Sequence, residues 1–167
     1  MEQNLINKLY SWLLKATKVV TAALLAIMVV IVFANVVARY YLSASLAWSE
    51  ELARFMLIWL VFLGAILAYV DNEHLGLDLL VKKMPRKLEL VVACCTDLLV
   101  LYALWLVLWG GYLMTVDSWE WEAPATDIPF GYTYLVIPVS GAVMMFQTLL
   151  KLYGHARDLL AKEVKPC

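Results

Sequence analysis

The chain has 167 residues, 64% of them hydrophobic and 16% charged, with a net charge of −1 and a mean hydropathy of +0.79. A soluble domain is about 45–50% apolar and about a quarter charged. A water-soluble enzyme and a disordered chain are therefore excluded, and the near-zero charge leaves no electrostatic footprint for nucleic acid. Lipid must solvate much of the molecule, and an all-α integral membrane protein of one domain, residues 1–167, follows. The cysteines do not alter this: Cys94 and Cys95 are adjacent in an apolar run and Cys167 is the last residue, so they have no metal-ligand spacing.

In chain order, residues 1–18 predict an interfacial arm helix. Leu5, Leu9, Trp12, Leu13 and Ala16 share one face, opposed by Asn7, Lys8, Ser11, Lys15 and Lys18, a pattern suited to a helix lying at the headgroups. A first span over 19–42 contains 20 charge-free residues, Val19 to Ala38, about the number needed to cross a bilayer. It exceeds the 7–15 residues usual for a signal-peptide core and ends in Arg39, Tyr40 and Tyr41, so an uncleaved helix is expected. The second span, 46–70, is charge-free from Phe55 to Val70, with Trp48, Leu52, Phe55, Met56 and Trp59 on one stripe. A second interfacial helix over 75–85 places Leu77, Leu80, Val81 and Met84 opposite Asp78, Lys82 and Lys83 and stops at Pro85. The third span, 88–116, is charge-free for 19 residues from Leu98, and the fourth, 128–155, for 23 from Ile128. Pro138, followed by Gly141, should kink the fourth span, because proline removes a backbone donor.

Lys and Arg in the connections set the orientation. Eleven lie in the N-terminal segment, the 82–87 loop and the tail, against only Arg39 and Arg54 on the other side. Both termini are expected in the cytoplasm. The loop from Asp117 to Asp127, with four carboxylates and no base, is expected outside. Trp48, Trp109, Tyr112, Trp119, Trp121, Tyr132 and Tyr134 gather near that outer interface as an aromatic belt would.

Transporters that act unaided keep ionisable groups near the midplane, and none of the four charge-free runs contains one. Asp97 comes closest, at the inner edge of the third span, where a structural role is expected. Both histidines, His74 and His155, fall outside these runs, so a haem has no facing ligands. No catalytic triad, phosphate loop or metal cluster can be assembled. An enzyme is not expected, and no cofactor is expected on this chain. The densest polar group is Trp48-Ser49-Glu50-Glu51-Leu52-Ala53-Arg54. Asn35 and Arg39 share a helix face near it, and a network joining Arg39, Glu50, Glu51 and Arg54 is expected between the first two spans. Gly64 with Ala68, and Ala22 with Ala26, form small-xxx-small pairs that favour close helix approach.

The stretch Asn35-Val-Val-Ala-Arg39-Tyr40, then Trp48-Ser-Glu50-Glu51-Leu-Ala-Arg54, then Trp59-Leu-Val-Phe-Leu-Gly64-Ala65, then His74 and Asp78, resembles the DctQ-type small membrane subunit of tripartite ATP-independent periplasmic (TRAP) transporters. Pro85, Pro124-Ala125, Ile128-Pro129, Tyr134 and Ile137-Pro138 resemble later landmarks of that family. The resemblance implies four membrane helices in the bacterial inner membrane and association with a large membrane subunit that holds the solute and sodium sites. It also implies a periplasmic solute-binding protein that delivers an organic acid, such as a C4-dicarboxylate or a sialic acid. Sodium would then belong to the large subunit rather than to this chain. The residues alone leave a second reading open: a self-sufficient oligomeric transporter or channel, built on a polar stripe of Asn35, Thr96, Asp97, Ser140 and Gln147.

Overall fold

The computed structural model describes residues 2–41, 46–70 and 86–163. The interfacial helix expected over 75–85, with His74 and Asp78, lies outside the described residues. Four long helices dominate: α1 (Glu2–Tyr41), α2 (Ala47–Val70), α3 (Arg86–Asp117) and α5 (Val136–Glu163), with a 3-10 turn (Ser118–Glu120) and a short α4 (Phe130–Tyr134) between α3 and α5. Each long helix contains a stretch apolar and long enough to cross a membrane. Val29-Val30-Ile31-Val32 in α1 would be a poor helix former in water. In hydrocarbon, however, a helix lets a single segment satisfy all its backbone donors and acceptors by itself.

α1 runs for 40 residues without a break, about 60 Å at 1.5 Å per residue and twice the thickness of a hydrocarbon core. Arm and span are thus one helix. At their expected border the hydroxyl of Thr17 donates to the Leu13 carbonyl at 2.9 Å, and that of Thr21 to the Thr17 carbonyl at 2.8 Å. Such back-bonding lets a helix bend without losing its ladder.

The helices pair as two antiparallel hairpins. Along α1 the less exposed positions are Thr21, Leu24, Met28, Ile31, Asn35 and Ala38, a strict four-three alternation, and among the described elements α1 packs substantially only on α2. Along α3 the matching positions are Asp97, Leu101, Leu104, Leu108, Gly111 and Thr115, and along α5 Ile137, Gly141, Met144, Thr148, Lys151 and His155. This spacing is the seam of left-handed helix packing, with side chains of one helix seated between those of its neighbour. Glycines set the α3–α5 separation: a Cβ on Gly111 would stand 2.7 Å from a methyl of Ile137, and one on Gly141 3.5 Å from the Leu108 backbone.

The hairpins meet where α2 lies against α5, around a core of Ile66, Tyr69, Leu104 and Met144. The order across the molecule is α1, α2, α5, α3. The end helices are correspondingly the barest. None of the most apolar window of α1 is buried and 6% of that of α3, against 17% in α2 and 28% in α5. The helices form an open row rather than a bundle closed around an interior.

The fourth span departs from expectation in detail. Its interruption falls at Leu135, between α4 and α5, one turn before Pro138. A proline at 138 has no N–H for the carbonyl of Tyr134, and the helical ladder lapses there. Gly141 serves the close approach to α3 rather than a kink.

Candidate functional site

Polar side chains concentrate at the two ends of the row. The end holding the α1–α2 and α3–α4 connections is called upper here. There Asn35 Oδ1 accepts the backbone N–H of Leu46 at 3.0 Å, while buried Ser49 donates its hydroxyl to the Leu46 carbonyl at 2.7 Å. An amide near the top of one helix thus fixes the entry into the next. Arg39 approaches Glu50 at 3.7 Å, with both side chains well exposed, a geometry that contributes at most about 1 kcal/mol.

Glu51 turns elsewhere. Its carboxylate receives the N–H of Ala125 at 3.1 Å on each oxygen, and the hydroxyl of Thr126 at 3.0 Å. The expected four-residue network is therefore two separate arrangements: Arg39 with Glu50, and Glu51 with the 121–130 loop. Arg54 is exposed and pairs with neither carboxylate among the described residues. The loop that Glu51 holds is a compact hairpin. Ala123 and Ile128 share a backbone bond of 3.0 Å, Phe130 donates to Trp121 at 2.9 Å, and Asp127 donates to Ala123 at 2.9 Å. Asp127 adopts φ 54°, a left-handed conformation that Asp tolerates better than most residues. Trp119 packs at a tilt against Tyr132, ring centres 4.9 Å apart, over Gly131, where a Cβ would run into the indole.

Two ties close the lower end. The Thr148 hydroxyl donates to Met144 at 2.8 Å and so receives the Tyr69 hydroxyl at 2.6 Å, while Lys151 Nζ lies 4.4 Å over the Tyr69 ring. Asp97, its side chain 14% exposed, meets His155 Nδ1 at 2.8 Å. The sequence placed these last two residues separately. Their partnership follows only from the antiparallel register of α3 and α5.

The residues considered for a polar stripe are mostly engaged locally. Thr96 donates to Val92 at 2.9 Å, Ser140 to Ile137 at 2.9 Å, Asn35 caps α2, and Asp97 holds His155. Among the described residues no three His, Cys, Asp or Glu side chains converge as a metal site would require.

The remaining expected residues lie outward or on the α2 seams. Trp48 is 44% exposed and Trp59 half-buried, while Phe55 on the same stripe meets the Phe130 ring edge-on at 5.5 Å. Gly64 has open space where a Cβ would stand, so none of the described helices approaches it closely. Trp109 and Tyr112, expected in the outer aromatic belt, belong to a longer row that the sequence reading missed. Tyr102, Trp105, Trp109 and Tyr112 lie on one exposed stripe of α3, with Trp105 and Trp109 stacked at 6.3 Å and Trp109 tilted against Tyr112 at 6.4 Å. Their three-four-three spacing was the available signal.

Residues 28–158 match the family described as tripartite ATP-independent periplasmic transporters, DctQ component. The chain belongs to that family. The stretch from Asn35 to Pro138 that carries the resemblance lies wholly inside the match. A Haemophilus influenzae protein assigned as a TRAP transporter small permease is 29% identical over 96% of this chain and 100% of its own length. The sialic acid TRAP transporter small permease protein SiaQ of Vibrio cholerae is 23% identical over 96% of this chain and 91% of its own. The isethionate TRAP transporter permease protein DctMQ of Oleidesulfovibrio alaskensis is 30% identical over 81% of this chain, which spans only 22% of that longer protein. This DctQ component is accordingly a small TRAP permease subunit, a multi-pass inner-membrane transport component and not an enzyme.

Proposed function

We propose that this DctQ component is a scaffold: it binds a large membrane subunit that carries solute and sodium, and together they import an organic anion presented by a periplasmic binding protein. The observation that carries this reading is the open row of helices, in which the polar groups Asn35, Thr96, Asp97 and Ser140 are each occupied by a local partner. Among the described residues, these engaged groups supply no continuous polar route. Its long relative from Oleidesulfovibrio, in which the matching segment makes up about a fifth of the polypeptide, supports a large permease partner. Relatives named for sialic acid, C4-dicarboxylate and isethionate support a small organic anion as the solute. The Lys and Arg asymmetry supports cytoplasmic termini, with Glu51 and its loop facing the periplasm.

The test is to purify the chain in mild detergent from cells expressing the whole transporter and identify what accompanies it. Recovery of a many-span TRAP subunit, with sodium-dependent uptake in liposomes only when both chains and the binding protein are present, is the expected result. A lone homo-oligomer that moves solute unaided would overturn it.

A further inference from the structure

The two end helices of the row present very different surfaces to their surroundings. The exposed positions of α1 between Thr21 and Asn35 are Ala, Leu, Ile, Val and Phe without exception, and hydrocarbon satisfies them fully. α3 does not follow that pattern. Its charge-free run, Leu98 to Val116, is centred at residue 107, so Trp105 and Trp109 each lie about 3 Å from its midpoint along the helix axis and Tyr102 about 8 Å, deeper than the outer belt expected of Trp109. These side chains are 64%, 50% and 53% exposed for Tyr102, Trp105 and Trp109. Trp and Tyr ordinarily sit at the headgroups, where the ring is in lipid and the N–H or O–H in water. At the midplane those donors meet no water, and an unpaired donor in hydrocarbon is costly. Among the described residues none of the three makes a hydrogen bond.

The stacking of Trp105 on Trp109, at 6.3 Å with planes 12° apart, removes much of the side-chain freedom that association would otherwise have to freeze. Large rings held in place, with a polar edge to offer, are the usual anchors of protein interfaces. We propose that the Tyr102–Trp105–Trp109 face of α3 is the surface on which the large membrane subunit docks, with its backbone carbonyls or hydroxyls accepting the indole and phenol donors. This deepens the scaffold reading and rests on it. A second copy of the chain is a weaker occupant. In the DctMQ relative one matching segment is joined to one much longer remainder, so each copy has a large neighbour within the same polypeptide.

A photoreactive benzoylphenylalanine placed at position 105, in cells expressing the whole transporter, tests this directly, with position 30 on α1 as control. The expected adduct joins this chain to the many-span TRAP subunit, identified by peptide sequencing, and forms at 105 at least about tenfold more than at 30. The combined change Trp105→Ala and Trp109→Ala should lower co-recovery of that subunit by about tenfold or more, with helix content and melting of the isolated chain unchanged. Adducts at 105 only with lipid or with a second copy, or a stronger adduct at 30, overturn the assignment of this face. If the large subunit co-purifies with the unmodified chain yet never crosslinks at 105, this inference fails and the scaffold reading stands. If no large subunit co-purifies at all, the scaffold reading itself has failed.

Discussion

Glu50 and Glu51 are neighbours with the same chemistry and very different surroundings. Glu50 faces an exposed guanidinium at 3.7 Å. Glu51 takes three hydrogen bonds that define where a ten-residue loop sits. Bonds to a charged acceptor contribute about 1.5–3 kcal/mol net, whereas exposed ion pairs contribute about 0–1. Glu51→Ala should therefore lower the chain's unfolding free energy in detergent by about 1–3 kcal/mol, and Arg39→Ala by less than about 1 kcal/mol. Equal losses in a chemical denaturation series would show that the loop does not depend on Glu51. The sequence groups Arg39, Glu50, Glu51 and Arg54, and the structure divides them, Arg39 meeting Glu50 while Glu51 turns to the loop. Spacing along a helix identifies which side chains share a face, but the loop that reaches Glu51 comes from more than 70 residues away, and no local periodicity encodes it.

Existence of the four membrane helices was legible, because a run of uncharged residues and the thickness of a bilayer leave the backbone one choice. The pairing of those helices was less so. Small residues were read at Gly64 and Ala68, yet close approach within the chain occurs at Gly111 and Gly141. A glycine reports that closeness is permitted, and only the facing helix decides whether it is used. Gly111→Ala should push α5 away and cost about 1–3 kcal/mol, the usual range for overfilling a packed seam. Gly64→Leu should leave the unfolding of the isolated chain unchanged, because among the described residues no atom lies near its Cβ position. Thermal denaturation of both variants, followed by circular dichroism, checks the pair. Comparable destabilisation by Gly64→Leu would contradict the open environment on α2.

For the molecule as a whole, the charge distribution makes a topological prediction that the helix arrangement leaves free. With all other cysteines replaced, Ser118→Cys should react with an impermeant maleimide added outside intact cells, and Lys83→Cys only after the inner membrane is opened. The reverse pattern would invert the orientation. The open row itself was not foreseeable from composition. In water four apolar helices would have to gather their faces inward. In lipid that pressure is absent, and helices remain side by side wherever specific seams hold them.

The polar ties that cross between the two hairpins stand near opposite ends of α2. Glu51 grips the loop at one end, and Tyr69 meets Thr148 at the other, 18 positions along a helix and so about 27 Å apart. Two rivets so placed forbid the halves to slide past one another along the membrane normal. Between the rivets the apolar core of Ile66, Tyr69, Leu104 and Met144 holds the halves face to face, so the wall keeps a fixed height in the bilayer.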